Sequence, residues 1–589
     1  MIENNILKKI LVKAKIITDE EFIKFQKQAD KKNIDLIDFL MSENIAAEET
    51  VYEVLSKHYG LPFIVLKNET EIKKDVLETI PEPIASTHQI VIFDKNAKEL
   101  KVACLDPNDI ETFEFLKKKT DLDLKLYITT PSSLNETLKK YHRGLEAELE
   151  KITTVERKRV LSKIKGDNKN DGGEDIDKLK QMAEDLPIIK IVDTLLEYAI
   201  FESASDIHVE PQEKEVIVRY RVDGILRDVM TLPKKSLTGI IARVKILSNL
   251  KLDEHRLPQD GRFKIETDQY KISFRVSIIP VFDGEKIVMR LLNESNRILE
   301  LEELGFQNQA LEKIKRNIEK PHGMILVTGP TGSGKTTTLY TIMHMINKPG
   351  VNITTVEDPV EYRMPRINQS QVNPKIGYTF ANGLRSFLRQ DPDIIMVGEI
   401  RDNETADIAV NAAMTGHLVL STLHTNDAAT ALPRLDDMKV EPFLIASTTN
   451  VIIAQRLVRK ICKHCIMSYN LSKETEEQLE KQFDINELKK ILQKQGVLKS
   501  SKETLSSLLF YKGKGCKQCG NSGYKGRIGI YEVLEITEEI GKLILKRAAT
   551  EEINKKAKEE GMSTMSQDGF LKAKQGITSI EEIIRVTQE

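Results

Sequence analysis

Tryptophan is absent from this chain, and no stretch of it approaches the ~18 consecutive apolar residues that a membrane-spanning helix needs. The opening MIENNILKKILVKAK has no uninterrupted apolar core and no small-residue cleavage site, so it does not read as a secretory signal. A charge excess of either sign is lacking too, with 88 lysines and arginines against 90 aspartates and glutamates. Bulk electrostatics therefore give no reason to expect a nucleic acid or an acidic membrane as partner, which leaves only local patches. Five cysteines among 589 residues are too few for a disulfide framework, and the expected compartment is the cytoplasm. What is present is ordinary for a soluble globular protein: 40% hydrophobic and 30% charged residues. The length implies roughly three to five domains.

Residues 1–143 mix helical periods with β-like runs such as QIVIF (89–93) and ELKVACL (99–105), a mixed α/β region. Within it LVKAKIITDEEF (11–22) and FLMSENIAAEET (39–50) align as a faint repeat, each an apolar helix end, a break and an acidic restart. Thr18 and Glu21 form a capping-box pattern. A small helical bundle is the plain reading. Residues 144–185 are charge-dense, and KGDNKNDGGEDID (165–177) has almost nothing apolar to bury, as expected of a flexible linker. A further α+β domain, 186–295, opens with the amphipathic pattern LPIIKIVDTLLEYAIF (186–201). Alternating patterns follow at EVIVRYRVDGILRDV (215–229) and KISFRVSIIPV (271–281), with a helical stretch between. RILELEELGF marks a second connector at 296–306, and residues 307–589 alternate strands with helices, the pattern of a parallel α/β domain.

The loop GPTGSGKT lies at 329–336, after the apolar run GMILVT and before a helical run. That context turns a GxxxxGK[ST] match into a phosphate-binding expectation. Gly329, Gly332 and Gly334 leave room for main-chain amides to converge on phosphate oxygens, with Pro330, Thr331, Ser333 and Thr337 completing the loop. Lys335 is expected at the β- and γ-phosphates and the Thr336 hydroxyl at Mg²⁺. Hydrolysis also needs carboxylates. NITTVEDPVEY (352–362) ends a strand in an acidic turn with Glu357, Asp358 and Glu361, and DPDIIMVGEIRD (391–402) runs an apolar strand into Glu399, Arg401 and Asp402. Each turn alone is as well read as a solvated loop; together, after a phosphate loop, they point to the carboxyl edge of one sheet. TGHLVLSTLHTNDA (415–428) places His417 and His424 at the two ends of an apolar strand. The choice there is between structural histidines and sensors of the γ-phosphate.

CKHC (462–465) and CKQC (516–519) form a pair of knuckles separated by residues 466–515. Two CxxC knuckles can each supply half of a tetrahedral thiolate site, whereas a redox CxxC needs no twin. Lys460, Lys463, Lys512, Lys514 and Lys517 would offset its negative charge. The gap is wider than in compact zinc ribbons, so a bound zinc and four metal-free thiols both stay open on spacing alone. Cys104, alone in an apolar run, reads as core.

In this order the four blocks of the last domain resemble the secretion ATPase superfamily, the motors of type IV pili and type II secretion. GPTGSGKT is similar to its Walker A, TTVEDPVEY to its Asp box, LRQDPDIIMVGEIRD to its Walker B and TGHLVLSTLHT to its His box. SASDIHVEP (203–211), VRYRVDG (218–224), RLPQDGR (256–262) and GEKIVMRLL (284–292) resemble the domain preceding the core in that family. GRIGIYEVLE (526–535) and GMSTMSQDGFLKAKQGITS (561–579) resemble its C-terminal end. The resemblance covers roughly 186–589. It implies a RecA-like P-loop core, a preceding PAS-like domain and a zinc insert at 460–525 held by Cys462, Cys465, Cys516 and Cys519. It further implies ATP as substrate, Glu361 as the glutamate that polarises water, Glu399 beside Mg²⁺, and His417 with His424 as the His-box pair. Arg219, Arg221, Arg262, Arg275 and Arg290 fall in stretches whose family counterparts face nucleotide. Related retraction motors lack the N-terminal region and the cysteine insert, so the resemblance favours pilus assembly or secretion over retraction; between those two the motifs barely discriminate, and pilus assembly is the expectation, with type II secretion as the alternative.

On that resemblance the chain is expected to be a cytoplasmic homohexamer peripheral to the inner membrane. ATP would be held between the domains flanking 291–306, and their closure would drive a membrane platform protein that adds pilin subunits. The N-terminal module is expected to dock other assembly proteins. Some assembly motors bind cyclic di-GMP through a tandem N-terminal module that the repeat resembles in layout. Here Ile6, Leu7 and Lys8 stand where RLG is expected, Lys15 and Asn44 stand for glycines, and the second copy reads Ile34, Asp35, Leu36, which argues against dinucleotide binding. Rival readings are a RecA-like nucleic-acid translocase, opposed by the balanced charge, and a non-hydrolysing sensor, opposed by the intact acidic turns.

Overall fold

The computed structural model describes residues 4–138, 179–471 and 508–588 together with Leu479, apart from short breaks at 15, 33–35, 44, 67–71, 78, 81, 181, 184, 267–270 and 294–297. Most of the expected linker 144–185 lies outside the described residues, as do Lys15, Ile34, Asp35 and Asn44 of the repeat. The chain divides into two compact units, Met1–Asn293 and Glu294–Glu589.

The first unit begins with helices Asn4–Lys13, Asp19–Lys32, Leu36–Ser42 and Glu48–Tyr59, which bury Leu11, Leu40, Val51 and Leu55. The capping box forms: the Thr18 amide donates to Glu21 at 2.8 Å, and the Glu21 amide donates back to the Thr18 hydroxyl at 3.3 Å. Strands β1 (Ile90–Lys95), β2 (Glu99–Cys104) and β3 (Asp123–Ile128) form a small sheet in that order, and Cys104 is fully buried in its core.

The rest of this unit is a six-stranded antiparallel sheet of β4 (Asp206–Pro211), β5 (Glu215–Val222), β6 (Ile225–Pro233), β7 (Gln259–Glu266), β8 (Lys271–Val281) and β9 (Gly284–Asn293). Its order is β6-β5-β4-β9-β8-β7. The helix Leu186–Phe201 spans the run expected to be helical. Sequence 215–229, which alternates as one run, is instead a hairpin: Asp223 and Gly224 both take positive φ, 51° and 86°, the two-residue turn that returns a twisted strand on itself. Alternation puts Ile207, Val209, Val218, Tyr220, Phe274, Val276, Ile287 and Met289 in the core and leaves the opposite face polar. On that face Arg262, Arg275, Arg290, Asp206 and Arg221 stand in register across five neighbouring strands.

The second unit is built on a seven-stranded sheet of β10 (Gly323–Thr328), β11 (Ile353–Glu357), β12 (Ile367–Gln371), β13 (Ile394–Val397), β14 (Leu418–Leu423), β15 (Thr449–Ile461) and β18 (Tyr524–Glu535). The order is β12-β11-β13-β14-β10-β15-β18, parallel except for the antiparallel edge strand β18. Every residue of β10 and β14 is buried, as expected of strands covered on both faces. β16 (Ile466–Asn470) and β17 (Leu509–Gly513) pair in the excursion between β15 and β18. The expected connector at 296–306 is not loose at its end. Leu301 and Phe306 are buried, Phe306 stacks on Tyr531 at 3.5 Å between centroids, and the Tyr531 hydroxyl donates to Leu304 O at 2.9 Å. Burying each ring stabilises the unit by about 2–3 kcal/mol.

β18 also reaches the loop that follows β14. Glu532, buried, accepts from the Ala428 amide at 2.9 Å. Burial, partly offset by that bond, pushes its carboxyl up from 4.5 to about 7. An acid whose pKa is raised on folding costs nothing while protonated in both states, and destabilises progressively as pH rises from about 4.5 through about 7. Glu532→Gln, which cannot ionise, is therefore expected to raise the melting temperature relative to wild type more at pH 8 than at pH 5, as read by calorimetry.

Candidate nucleotide site

β10 delivers the chain into the loop 329–334, and the helix Lys335–Ile346 leaves it. Gly329, Gly332 and Gly334 have φ of 145°, 81° and 89°, values that residues with a side chain rarely adopt. The space around them differs. A Cβ on Gly329 would lie 2.4 Å from Gln455 O, whereas nothing lies within 4 Å of one on Gly332, whose side of the loop is open. Gln455, on β15, donates to Ser333 O at 2.7 Å and accepts from the Thr338 hydroxyl at 2.8 Å, clamping loop and helix from behind. Sequence reasoning missed it. The available signal was a lone polar residue in the apolar run VIIAQRL, on a strand buried on both faces.

Lys335 folds back over the loop, donating to Gly329 O at 2.8 Å and Pro330 O at 3.2 Å. Burial lowers its pKa, opposed by the field of Glu399. Thr336 is half-buried on the first helical turn, while Pro330, Thr331, Gly332 and Thr337 are exposed. The loop therefore presents main-chain amides, a helix N-terminus and an ammonium on one side, an arrangement that attracts a polyphosphate.

The acidic turns arrive at the same sheet edge because β11, β13, β14 and β10 run parallel. Glu399 follows β13 and is paired twice, with Arg401 at 2.5 Å and with His424 Nε2 at 3.3 Å. The second contact brings together two residues singled out from separate motifs. The Thr328 hydroxyl, at the end of β10, bonds both the main chain and the hydroxyl of Thr425, joining the phosphate loop to the end of β14. His417 is not brought to this edge. It precedes β14, its Nδ1 lies 2.9 Å from Ala412 O, and its carbonyl accepts from Gly323 at the start of β10. The six extended residues of β14 separate the two histidines by roughly 20 Å, so a single strand cannot bring both to one phosphate.

Glu357 and Glu361 differ in environment. Glu357 is 2% exposed and accepts from Tyr340, Thr355 and Gln369, and burial pushes its carboxyl up despite those bonds. Glu361 lies beyond the cis Asp358–Pro359 bond and is half-buried. In the first unit, Arg290 and Arg221 flank Asp206 at 3.0 and 3.4 Å, Arg219 pairs with Glu210 at 3.0 Å, and Arg275 stands between Arg262 and Arg290.

The four cysteines converge where β15 ends and β18 begins. Their sulfurs all lie within 4.8 Å of one another, with Cys462–Cys516 at 3.8 Å, Cys465–Cys519 at 3.9 Å and Cys516–Cys519 at 3.6 Å. Thiolates about 2.3 Å from a tetrahedral zinc stand about 3.8 Å apart, so the donor set fits that ion. Burial opposes charge at Cys519, but the amides of Cys516 and Gly523, each 3.2 Å from its sulfur, together with the thiols of Cys516 and Cys465, lower that thiol's pKa. Gly513 and Gly523 let the two arms flanking the second knuckle close on each other: a Cβ on Gly513 would lie 2.0 Å from Gly523 O.

Comparison with known proteins gives the family. Residues 181–585 match the family model described as type II/IV secretion system protein, and residues 59–148 match the MshEN domain. The type IV pilus assembly ATPase PilB of Myxococcus xanthus is 40% identical over 585 residues, 98% of each chain. The type II secretion system protein E of Xanthomonas campestris is 36% identical over 584 residues, again 98% of each. Among solved structures, the ATPase DotB of Legionella pneumophila matches with a TM-score of 0.48 and 23% identity, covering 67% of this chain and 94% of that one. A phosphate loop, two acidic turns and a histidine on one edge of a RecA-like sheet, with a family model matching across both domains that carry the motifs, lead to one conclusion: the chain belongs to the type II/IV secretion system protein family.

Proposed function

We propose that this protein hydrolyses ATP to drive type IV pilus assembly. The observation that carries the reading is end-to-end similarity to a pilus assembly ATPase, 40% over 98% of both chains, combined with an open phosphate loop whose lysine and carboxylates share one sheet edge. The loop amides and Lys335 bind the β- and γ-phosphates. Thr336 and Glu399 are the residues for Mg²⁺, which when bound neutralises charge on the phosphate oxygens. Glu361 orients and polarises the attacking water. Glu357 is unsuited to that task because its oxygens already accept from three side chains out of contact with solvent. His424 reports on the γ-phosphate through Glu399. No role in turnover is given to His417. The row Arg262, Arg275, Arg290, Arg221 offers positive charge to phosphate oxygens: like charges in register are unfavourable across a sheet, and Asp206 offsets only part of them. Arg219 is held by Glu210.

The working form is a homohexamer on the cytoplasmic face of the inner membrane, attached through a platform protein; no helix among the described residues is long and apolar enough to cross a membrane itself. Zn²⁺ occupies the four cysteines in a structural role, since four protein ligands leave no position for chemistry. A second reading, type II secretion, is supported by the 36% identity over 98% of both chains to a secretion protein E.

Lys335→Ala is expected to abolish ATP turnover, measured as phosphate release. Glu361→Gln should bind nucleotide within about threefold of wild type while hydrolysis falls by about 10²-fold or more. Disrupting the gene in its host is expected to remove surface pili and spare exoprotein secretion; lost secretion with retained pili would select the second reading. Elemental analysis should find about one zinc per chain, and Cys516→Ser should lower both zinc content and melting temperature.

A further inference from the structure

Glu357 and Tyr340 form a deeply buried polar pair near the site, and the functional reading leaves both without a role. Tyr340 is fully buried on the helix Lys335–Ile346, five positions after Lys335, the residue that opens the helix. Its hydroxyl hydrogen goes to Glu357. Its oxygen then accepts from two sides, from the Glu361 amide at 3.4 Å and from Gln369 Nε2 at 3.3 Å. Gln369, on β12, also donates to Tyr362 O at 3.1 Å and accepts from the Met364 amide at 2.7 Å. The Tyr340 ring meets Tyr362 edge to face, with centroids 4.6 Å apart. Three points of the turn 361–364 are thus fastened to one network that rests on Glu357.

Each member is accounted for. Glu357 is out of contact with solvent and its two oxygens accept from three side chains, so it serves as an anchor. Tyrosine, with a single hydrogen, must give it to that anchor, which leaves its oxygen to receive the Glu361 amide. A satisfied buried network of this kind fixes one geometry, because any rotation leaves a donor unpaired in a low dielectric. The same helix carries the phosphate-binding lysine at its start and the fastening hydroxyl further along. The distance from γ-phosphate to the turn is therefore set by a rigid element.

We propose that Tyr340, anchored by Glu357 and assisted by Gln369, is the positioning residue for Glu361: it couples the phosphate-loop helix to the main chain from which the water-polarising carboxylate projects. This rests on the assignment of Glu361 given above. Tyr340 touches no reacting atom. Its contribution is the register of the turn against the helix.

The test is Tyr340→Phe, which keeps the ring against Tyr362 and deletes only the hydroxyl, with Gln369→Ala as a second variant that loosens the turn from the sheet side. Both are expected to lower kcat by about 10-fold or more while KM for ATP stays within about twofold, since misplacing a catalytic group by even 1 Å is felt in the chemical step. Amide hydrogen exchange at Glu361 and Met364, read without nucleotide, should rise in both. In a Glu361→Gln background, Tyr340→Phe should cost less than about twofold more, because it acts through the group already removed. Wild-type kcat in Tyr340→Phe, or its full factor retained in the double variant, overturns the proposal. Unchanged exchange at the turn overturns it independently of activity. Were Glu361→Gln to hydrolyse ATP normally, the assignment of Glu361 would fall, and a Tyr340→Phe variant with faster exchange would still establish the fastening.

Discussion

A triphosphate can be gripped by main-chain amides only where those amides are left without partners inside the protein, and such a loop must be held from elsewhere. Here the hold comes from behind. β10 is buried along its whole length, β15 presses Gln455 O against Gly329, and the Gln455 side chain ties Ser333 to Thr338. Glycine at three positive-φ positions makes the loop's shape affordable, and the neighbouring strand makes it unique. Everything else at the site is placed relative to that arrangement. Thr328 carries it to the end of β14, and Tyr340 carries it to the end of β11.

Three glutamates at one sheet edge illustrate how environment divides labour among identical side chains. Glu357 is buried, with donors from three side chains, and serves to hold structure. Glu399 is restrained by Arg401 and His424, which suits a carboxylate kept beside a metal. Glu361 is half-buried on a turn, in keeping with the water chemistry proposed for it. The distinction between Glu357 and Glu361 follows from burial, which the run VEDPVEY does not disclose. Away from this edge, the tetracysteine cluster fixes the long excursion between β15 and β18 by bringing its two ends together.

Much of this was legible beforehand. The helix at 186–201, the phosphate loop between an apolar strand and a helix and the capping box at Thr18 all follow from local pattern, since period, cap and turn chemistry act over a few residues, whereas the convergence of two CxxC knuckles across residues 466–515 was expected from the family resemblance. The hairpin at 223–224 was also written locally, as Asp-Gly, but the alternation continued across it and concealed the turn. The pairing of His424 with Glu399 required knowing that β13 and β14 are neighbours, and the exclusion of His417 required their common direction.

The sequence by itself determined which residues could meet phosphate, metal and water, because glycine, lysine, thiolate and carboxylate chemistry is a property of the side chains and their spacing. Only the tertiary structure decided which of them lie side by side. Strand order, set by how apolar faces pack across the whole sheet, brings Gln455, Gln369 and Glu532 to the loops they steady from up to more than a hundred positions away. Burial, a collective property of the packed chain, then separates the enclosed Glu357 from the half-buried Glu361.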